Sequence, residues 1–398
     1  MSENTKPKLW TLPFTLLTSA GFGITSVMYL LTATIAGYAL TEFSADHTQA
    51  GILAGLFVLG ACLGRLTAGW ALESFGERTT AAFAFSSYLV CSLLYFVVRW
   101  ISVLYVLRTL HGIGYGLAAS AVAGAVMRAV PASRRGEGSG WFSTGTSLGS
   151  GIAPFLGLTL AALPGGYFWV FSAASAFSVI AGLLSLLAWD YLTGRPRKPT
   201  SIKSEPTIGL AKWVEPRALP IGTVVACLAA CWGVVMAFLA EFARENELQN
   251  AAAWFFVVYA AVVLITRPVG GVLQDRLGDD RIFLPILVAA GLGMVVIGVA
   301  HTPLVLLAGA AIMGASYGTA LPVGQASAVR IAGSLRAGMA VSSYYLVVDA
   351  VNGLAPAIFG GFISIFGYRT TFVSSAALAV VALGLYTMWA RRIGKEFN

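Results

Sequence analysis

The sequence predicts an all-α polytopic membrane protein, with twelve transmembrane helices arranged as two pseudo-symmetric six-helix bundles. Three observations carry this expectation. The 398 residues are 58% hydrophobic and 11% charged, with a mean hydropathy of +0.80, whereas a soluble domain carries about a quarter charged residues. Apolar runs of about 20 residues, the length that crosses a bilayer core, recur along the whole chain. The two halves also repeat one another at a constant offset of 202 residues.

The spans follow in order when apolar runs are cut at polar or Gly/Pro breaks. The first, 11–39, lies between the polar MSENTKPK and TEFSADH; the second, 50–74, ends at the Glu-Arg turn. The third, 79–99, closes on Arg99, and the fourth, 102–129, stops before Pro131 and a pair of arginines. The fifth, 137–161, is rich in Gly and Ser and ends at PGG; the sixth, 166–192, runs into TGRPRK. The polar linker 193–217, rich in Pro, Ser and Lys, then separates residues 1–192 from residues 218–398. The second half gives spans at 218–242, 251–275, 281–300, 303–329, 336–361 and 368–391.

Basic residues orient these spans. With the N-terminus inside, 19 of the 25 Lys and Arg residues fall in inner segments; only Arg99, Arg244 and Arg369 fall outside. This bias places both termini in the cytoplasm. The net charge of +8 is spread over segment ends, so it reads as a topology signal and not as a nucleic-acid footprint. The start of the chain lacks the short apolar core and small-residue cleavage site of a secretory signal. Cys62, Cys91, Cys227 and Cys231 all lie in apolar runs without metal-ligand spacing, so no metal is expected. GIGYG (112–116) is not followed by the Lys-Ser/Thr of a nucleotide loop. The expectation is a protein that is no enzyme, takes no cofactor and draws on a proton gradient.

The repeat is explicit. RLTAGWALESFG (65–76) matches RPVGGVLQDRLG (267–278), which aligns Arg65, Gly69, Glu73 and Gly76 with Arg267, Gly271, Asp275 and Gly278. GIGYG matches GASYG (314–318), Arg134 matches Arg336, and Pro154 matches Pro356. Parallel repeats of this kind place a substrate site near the bilayer midplane, between halves that rock.

These motifs resemble the major facilitator superfamily over essentially the whole chain. GRLTAGWALESFGERTT (64–80) is similar to the superfamily's signature loop, with Gly64, Gly69, Gly76 and Arg78 in place. Glu73 stands where Asp is usual and Ser74 where Arg is usual; the second copy, with Asp275, Arg276 and Gly278, keeps the consensus better. The resemblance implies that this loop is a charged latch at the cytoplasmic end. LYVLRTLHGIG (104–114) resembles the fourth-span motif of proton-coupled exporters, with Leu104, Arg108 and Gly112 matching and His111 replacing Gln. GSGIAPFLG (149–157) resembles their antiporter motif through Gly149, Pro154 and Gly157, with Ala153 replacing Gly. A small-residue, proline-bent helix can form a dry seal between halves, or simply pack closely. Arginine-rich second and eighth spans resemble bacterial exporters of small metabolites, including sugars and opine-type metallophores.

Charges inside spans are costly and mark candidate function. Arg108 and His111 lie three residues apart and share a helix face. The position matching Arg108 in the second half is Ala310, so packing symmetry does not require the arginine. Arg108 is expected to face the central cavity, bind an anionic group or bias a proton site; the alternative is a structural bond to a backbone carbonyl. His111 is expected to carry the proton or to be a hydrogen-bonded neutral histidine at a helix contact. Arg65 and Arg267 each sit about 10 residues, roughly 15 Å of helix, from the cytoplasmic loop; the expected role is structural or gating, with contact to substrate carboxylates as the alternative. Asp349, with Asn352 one turn on, is the acid deep in a span. The family's second and eleventh spans pack together, which implies that Asp349 pairs with Arg65, either as a coupling step or as a permanent ion pair. Glu42 and Glu241, each opening an EF dipeptide at an outer span end, are expected to be exposed, with an outer proton acceptor as the alternative. Tyr29, Tyr115, Trp232, Tyr317, Tyr344 and Tyr345 fall in spans that the resemblance places around a cavity.

The resulting expectation is a monomeric exporter in the bacterial cytoplasmic membrane, surrounded by lipid and with no nucleic-acid partner. It would exchange protons for a small polar anionic or zwitterionic organic compound by alternating access. Three spanning arginines against one aspartate disfavour purely cationic substrates. The alternatives are proton-coupled carboxylate uptake, export of neutral or cationic drugs, and a transporter-shaped sensor or lipid-handling protein.

Overall fold

The computed structural model describes residues 8–131, 135–192, 214–332 and 336–390. Lys6, Arg134, linker residues 193–213, and Arg391, Arg392 and Lys395 lie outside them. The described residues form twelve α-helices: α1 (Leu12–Glu42), α2 (His47–Ser74), α3 (Glu77–Leu94), α4 (Ile101–Ala129), α5 (Arg135–Ala161), α6 (Gly166–Leu192), α7 (Leu219–Glu245), α8 (Gln249–Leu277), α9 (Asp279–Gly298), α10 (Pro303–Ala332), α11 (Ala337–Ser375) and α12 (Ala377–Leu385). In hydrocarbon every backbone polar group needs an internal partner, which a helix supplies within itself. Among the described residues, nine helical segments are long and apolar enough to cross a membrane. The third and fifth expected spans fall short of that measure, because α3 opens on ERTT and α5 is rich in Gly, Ser and Thr.

Gly367 adopts φ 74° and ψ 171° and breaks the helical path inside α11, so the chain turns where the sequence separates its eleventh and twelfth spans. A five-residue π-helical segment, Tyr386–Ala390, continues α12. Large apolar side chains such as Leu66, Ile265, Leu304 and Val380 are exposed, as suits a lipid-facing exterior. The linker ends earlier than its composition suggested: Pro216–Ala218 form a 3-10 turn and Glu215 is 2% exposed. Glu215 pairs with Arg336 at 2.8 Å, and its backbone N–H donates to Ser343 Oγ at 2.7 Å.

The repeat seen in the sequence is built into the backbone. The helix pairs α2/α8, α3/α9, α4/α10 and α5/α11 start 202 residues apart, at His47 and Gln249, Glu77 and Asp279, Ile101 and Pro303, Arg135 and Ala337. The four glycines with positive φ form two pairs at the same offset, Gly76 with Gly278 and Gly165 with Gly367. Gly278, at φ 81° and ψ 170°, is the N-cap of α9, in a region essentially reserved for glycine. Gly278→Ala is therefore expected to destabilise the protein by about 1–3 kcal/mol in thermal unfolding in detergent. Gly271→Ala, where an added Cβ meets nothing within 4 Å, serves as the neutral control.

Two compact units emerge from the contacts: residues 1–31 with 60–197, and residues 32–59 with 198–398. In the first, α4 packs on α3 and α6, while α5 meets α1 where Gly149 approaches the Phe22 carbonyl and Ser26. In the second, α7 packs on α11 and α8 on α10, and residues 47–59 of α2 lie against α11. There the backbones touch: a Cβ added to Gly51 would overlap the Pro356 carbonyl, one on Gly55 the Gly353 carbonyl, and one on Gly360 the His47 carbonyl. Small residues permit such approach between spanning helices.

Candidate transport and coupling site

In the first unit the charged centre is enclosed. Arg108 and His111 on α4 are both 0% exposed, held where α4 meets α3 and α6. His111 Nδ1 lies 3.3 Å from Tyr95 OH, and Nε2 lies 3.3 Å from Ser92 Oγ. Ser92 in turn lies 3.0 Å from Ser178 Oγ of α6 and donates to the Tyr88 carbonyl at 3.0 Å. Tyr88 stacks at a tilt on the imidazole, 4.4 Å between centroids, and its hydroxyl donates to the Ile24 carbonyl of α1 at 2.9 Å. Arg108 hydrogen-bonds the Tyr95 hydroxyl, which gives a chain from Arg108 through Tyr95 and His111 to Ser92. With the hydrogen of Ser92 on the Tyr88 carbonyl, its oxygen accepts from Nε2–H, while Tyr95 donates to Nδ1. This pattern fits an imidazole held at a helix contact. Arg108 was expected to face a central cavity; the structure encloses it, with His111, among aromatic and hydroxyl groups where α4 packs on α3 and α6.

Arg65 and Arg267 occupy repeat-related places. The guanidinium of Arg65 lies 5.8 Å from the Tyr115 ring centroid, within cation–π range. Arg267 Nε donates to the Gly318 carbonyl at 2.9 Å. Tyr115-Gly116 and Tyr317-Gly318 are themselves repeat partners, so each arginine rests on the same stretch of its own half. Gly64 sits against the Ile113 carbonyl and Gly116 against the backbone of α2, which fixes that register. Asp349 is half-buried on α11 and interacts electrostatically with Tyr344. Arg65 and Asp349 belong to different compact units. Asn352 is half-buried, and its carbonyl and side-chain oxygens face Gly233 of α7.

The aromatic candidates divide. Trp232 is stacked between Tyr259 and Tyr317, at 4.0 and 5.6 Å, all three buried. Tyr344 is 0% exposed and donates to the Leu321 carbonyl at 3.0 Å. Tyr345 donates to Gln325 Oε1 at 3.0 Å, and Tyr29 is half-buried. On α5, Gly149, Ala153, Pro154 and Gly157 are all buried.

At the signature loops, the side chains of Gly69, Glu73 and Asp275 lie outside the described set. Arg78 bridges to Asp190 of α6 at 3.1 Å. Arg276 is exposed. The described polar network of the second copy runs instead through residues the sequence reading passed over. Gln274 Nε2 donates to Asp279 Oδ1, the Val323 carbonyl and Ser327 Oγ at 2.9, 3.0 and 2.9 Å. Ser327 donates to Asp279 Oδ2 at 2.9 Å, and Arg330 forms an ion pair with Asp279. The signal was present: Asp279 follows Gly278 as Glu77 follows Gly76, and Arg330 matches Arg128 at the same offset. The outer glutamates require a correction. Glu42 is exposed, but Glu241 is only 6% exposed, because α7 carries it into contact with the neighbouring helices.

Comparison with known proteins agrees with this architecture. The model of the Major Facilitator Superfamily matches residues 14–246 and 221–398. An uncharacterised MFS-type transporter of Methanocaldococcus jannaschii is 22% identical over 377 residues, 94% of this chain and 95% of that one. A multidrug resistance protein B homolog of Mycobacterium tuberculosis is 30% identical over 150 residues, 37% of this chain and 27% of that one. The solved structure of a bacterial homolog to the human lysosomal transporter Spinster superposes with a TM-score of 0.77 at 18% identity, covering 97% of this chain and 98% of that one. Four helix pairs repeated at a 202-residue offset, a match along both halves and transporter relatives lead to one conclusion: this chain is a multi-pass membrane protein, a secondary transporter and not an enzyme, and it belongs to the Major Facilitator Superfamily.

Proposed function

We propose that the protein exports a small polar organic compound, anionic or zwitterionic, in exchange for protons. The observation that carries this reading is the enclosure of Arg108, 0% exposed, in one hydrogen-bonded chain with His111. A guanidinium keeps its charge at all working pH values. Arg108 acts electrostatically against a second positive charge on His111, so in this reading a proton reaches the imidazole only with a rearrangement of the cluster that Tyr95 and Ser92 join across α3, α4 and α6. Enclosure gives Arg108 the part of setting this cluster's charge and leaves substrate contact to other groups; within the first unit, Arg65 beside Tyr115 supplies positive charge for a carboxylate. The close-packed α5 with Pro154 fits a helix that limits proton leak. In this reading the protein works as a monomer in a bacterial cytoplasmic membrane, with both termini in the cytoplasm and the proton gradient as its energy source.

A second reading, export of neutral or cationic drugs, is favoured by the stacked Tyr259, Trp232 and Tyr317 and by the likeness to the multidrug resistance protein B homolog. One experiment separates the two. Proteoliposomes holding a pH-sensitive dye are challenged with organic anions, zwitterions and cations in turn. Proton movement driven by an anion or zwitterion supports the first reading. Movement driven by cations alone overturns it in favour of the second, and no movement with any class overturns proton coupling.

A further inference from the structure

In the second unit, a group of titratable side chains converges where α2 begins, α7 ends and the chain resumes after Gly367. Glu241 brings a carboxylate whose side chain is 8% exposed. On its own helix it pairs with Arg244 at 2.5 Å. His47 of α2 and Glu245 of α7 lie close enough to act on it electrostatically. Tyr368, 4% exposed, places its hydroxyl 3.1 Å from His47 Nδ1 and its ring edge-on to the imidazole at 5.2 Å. The charges of Glu241, Glu245 and Arg244 reach Tyr368 as well. Arg369, the next residue, is engaged elsewhere, donating to the Gly298 and Ala300 carbonyls and to Asn246 Oδ1.

This cluster sits at the end of the tightest helix contact in its unit. The His47 carbonyl is the atom that a Cβ on Gly360 would strike, and Gly51 and Gly55 continue the same backbone contact along α11. Whatever holds His47 therefore holds the first turns of α2 on α11. With a neutral ring, Tyr368 donates its hydroxyl hydrogen to Nδ1. A proton added to Nδ1 reverses that bond: the ring N–H then donates to the phenol oxygen, and the phenol hydrogen is released toward other acceptors. The imidazolium also gains the attraction of the Glu241 carboxylate. Charge-assisted hydrogen bonds are stronger than neutral ones, so protonation tightens the contact.

We propose that His47, Tyr368 and Glu241 form a proton-binding clasp that fastens the start of α2 to α7 and α11 when His47 is protonated. The site takes a proton, and its effect is mechanical.

The test is amide hydrogen exchange of residues 47–55 in detergent-purified protein at pH 5.5 and 7.5, corrected for intrinsic exchange, for wild type, His47→Gln and Glu241→Gln. Glutamine at 47 keeps an acceptor for Tyr368 but cannot take the proton. The expected result is roughly tenfold greater protection at the lower pH in wild type, the effect of about one charge-assisted hydrogen bond, with the difference lost in both variants. Equal protection at the two pH values in wild type overturns the clasp, and so does a pH difference that survives in His47→Gln. Loss in His47→Gln with retention in Glu241→Gln removes Glu241 from it. Should Glu241→Gln not fold, the His47→Gln comparison decides alone. No transport is measured, so the outcome is independent of direction and substrate.

Discussion

Arg108→Met, reconstituted in proteoliposomes, is expected to lose proton-linked flux by roughly a hundredfold, the rate equivalent of about 3 kcal/mol. Arg108→Lys is expected to retain a measurable part of it. Methionine fills much of the same volume, so the variant tests charge more than packing. Lysine keeps the charge and loses the planar guanidinium geometry. A purely structural arginine predicts another ordering: replacing a buried charge with an apolar side chain of similar volume is often neutral or stabilising. Flux and thermal stability measured together separate the cases. Arg108→Met that is as stable as wild type but inactive supports the coupling role. Arg108→Met that transports normally overturns it, and the buried charge is then a packing device. The repeat sharpens the argument, since Ala310 holds the equivalent place in the second half and the fold is built without a charge there.

Gly55→Leu is expected to cost about 3 kcal/mol or more of stability, at or beyond the upper end of ordinary overpacking, and to abolish transport. The reason is the nature of the neighbour. A Cβ at residue 55 overlaps the Gly353 carbonyl, and a helix carbonyl cannot swing aside as a flexible side chain can. Gly55→Ala already produces the overlap and is expected to lie between wild type and Gly55→Leu. Gly124→Ala, where the new Cβ meets nothing within 4 Å, is expected to leave the melting temperature within a degree or so, as for other surface changes. The measurement is thermal unfolding in detergent, with amide exchange of residues 47–59 as the local readout. Unchanged exchange there in a folded Gly55→Leu protein would show that the contact does not depend on close backbone approach.

Both cases show where sequence reasoning succeeds and where it stops. Apolar length and breaks at Gly and Pro are local properties, so the twelve helices of the described residues could be read directly. The 202-residue offset went further, because a repeat in sequence becomes a repeat in backbone: Gly76 and Gly278 cap equivalent helices in the same conformation. The pair Gly165 and Gly367 was equally present in the sequence, but without a flanking motif it carried no signal until the torsion angles were seen.

Direction of approach was not legible. Arg108 and His111 were found because charge in an apolar run is conspicuous, yet a residue three positions along a helix shares a face with its neighbour without revealing what that face meets. Only packing of α3, α4 and α6 decided that Tyr95, Ser92 and Ser178 surround them. Glu241 teaches the same lesson in reverse: at a helix end it reads as solvated, and α2 and α11 bury it. The sequence by itself determined that this chain crosses a membrane in two matching halves, because burial in lipid constrains every residue of a span separately. The tertiary structure alone decided which polar groups meet, because such meetings depend on helix rotation and register, which glycine contacts such as Gly55 on Gly353 set between residues far apart in the chain.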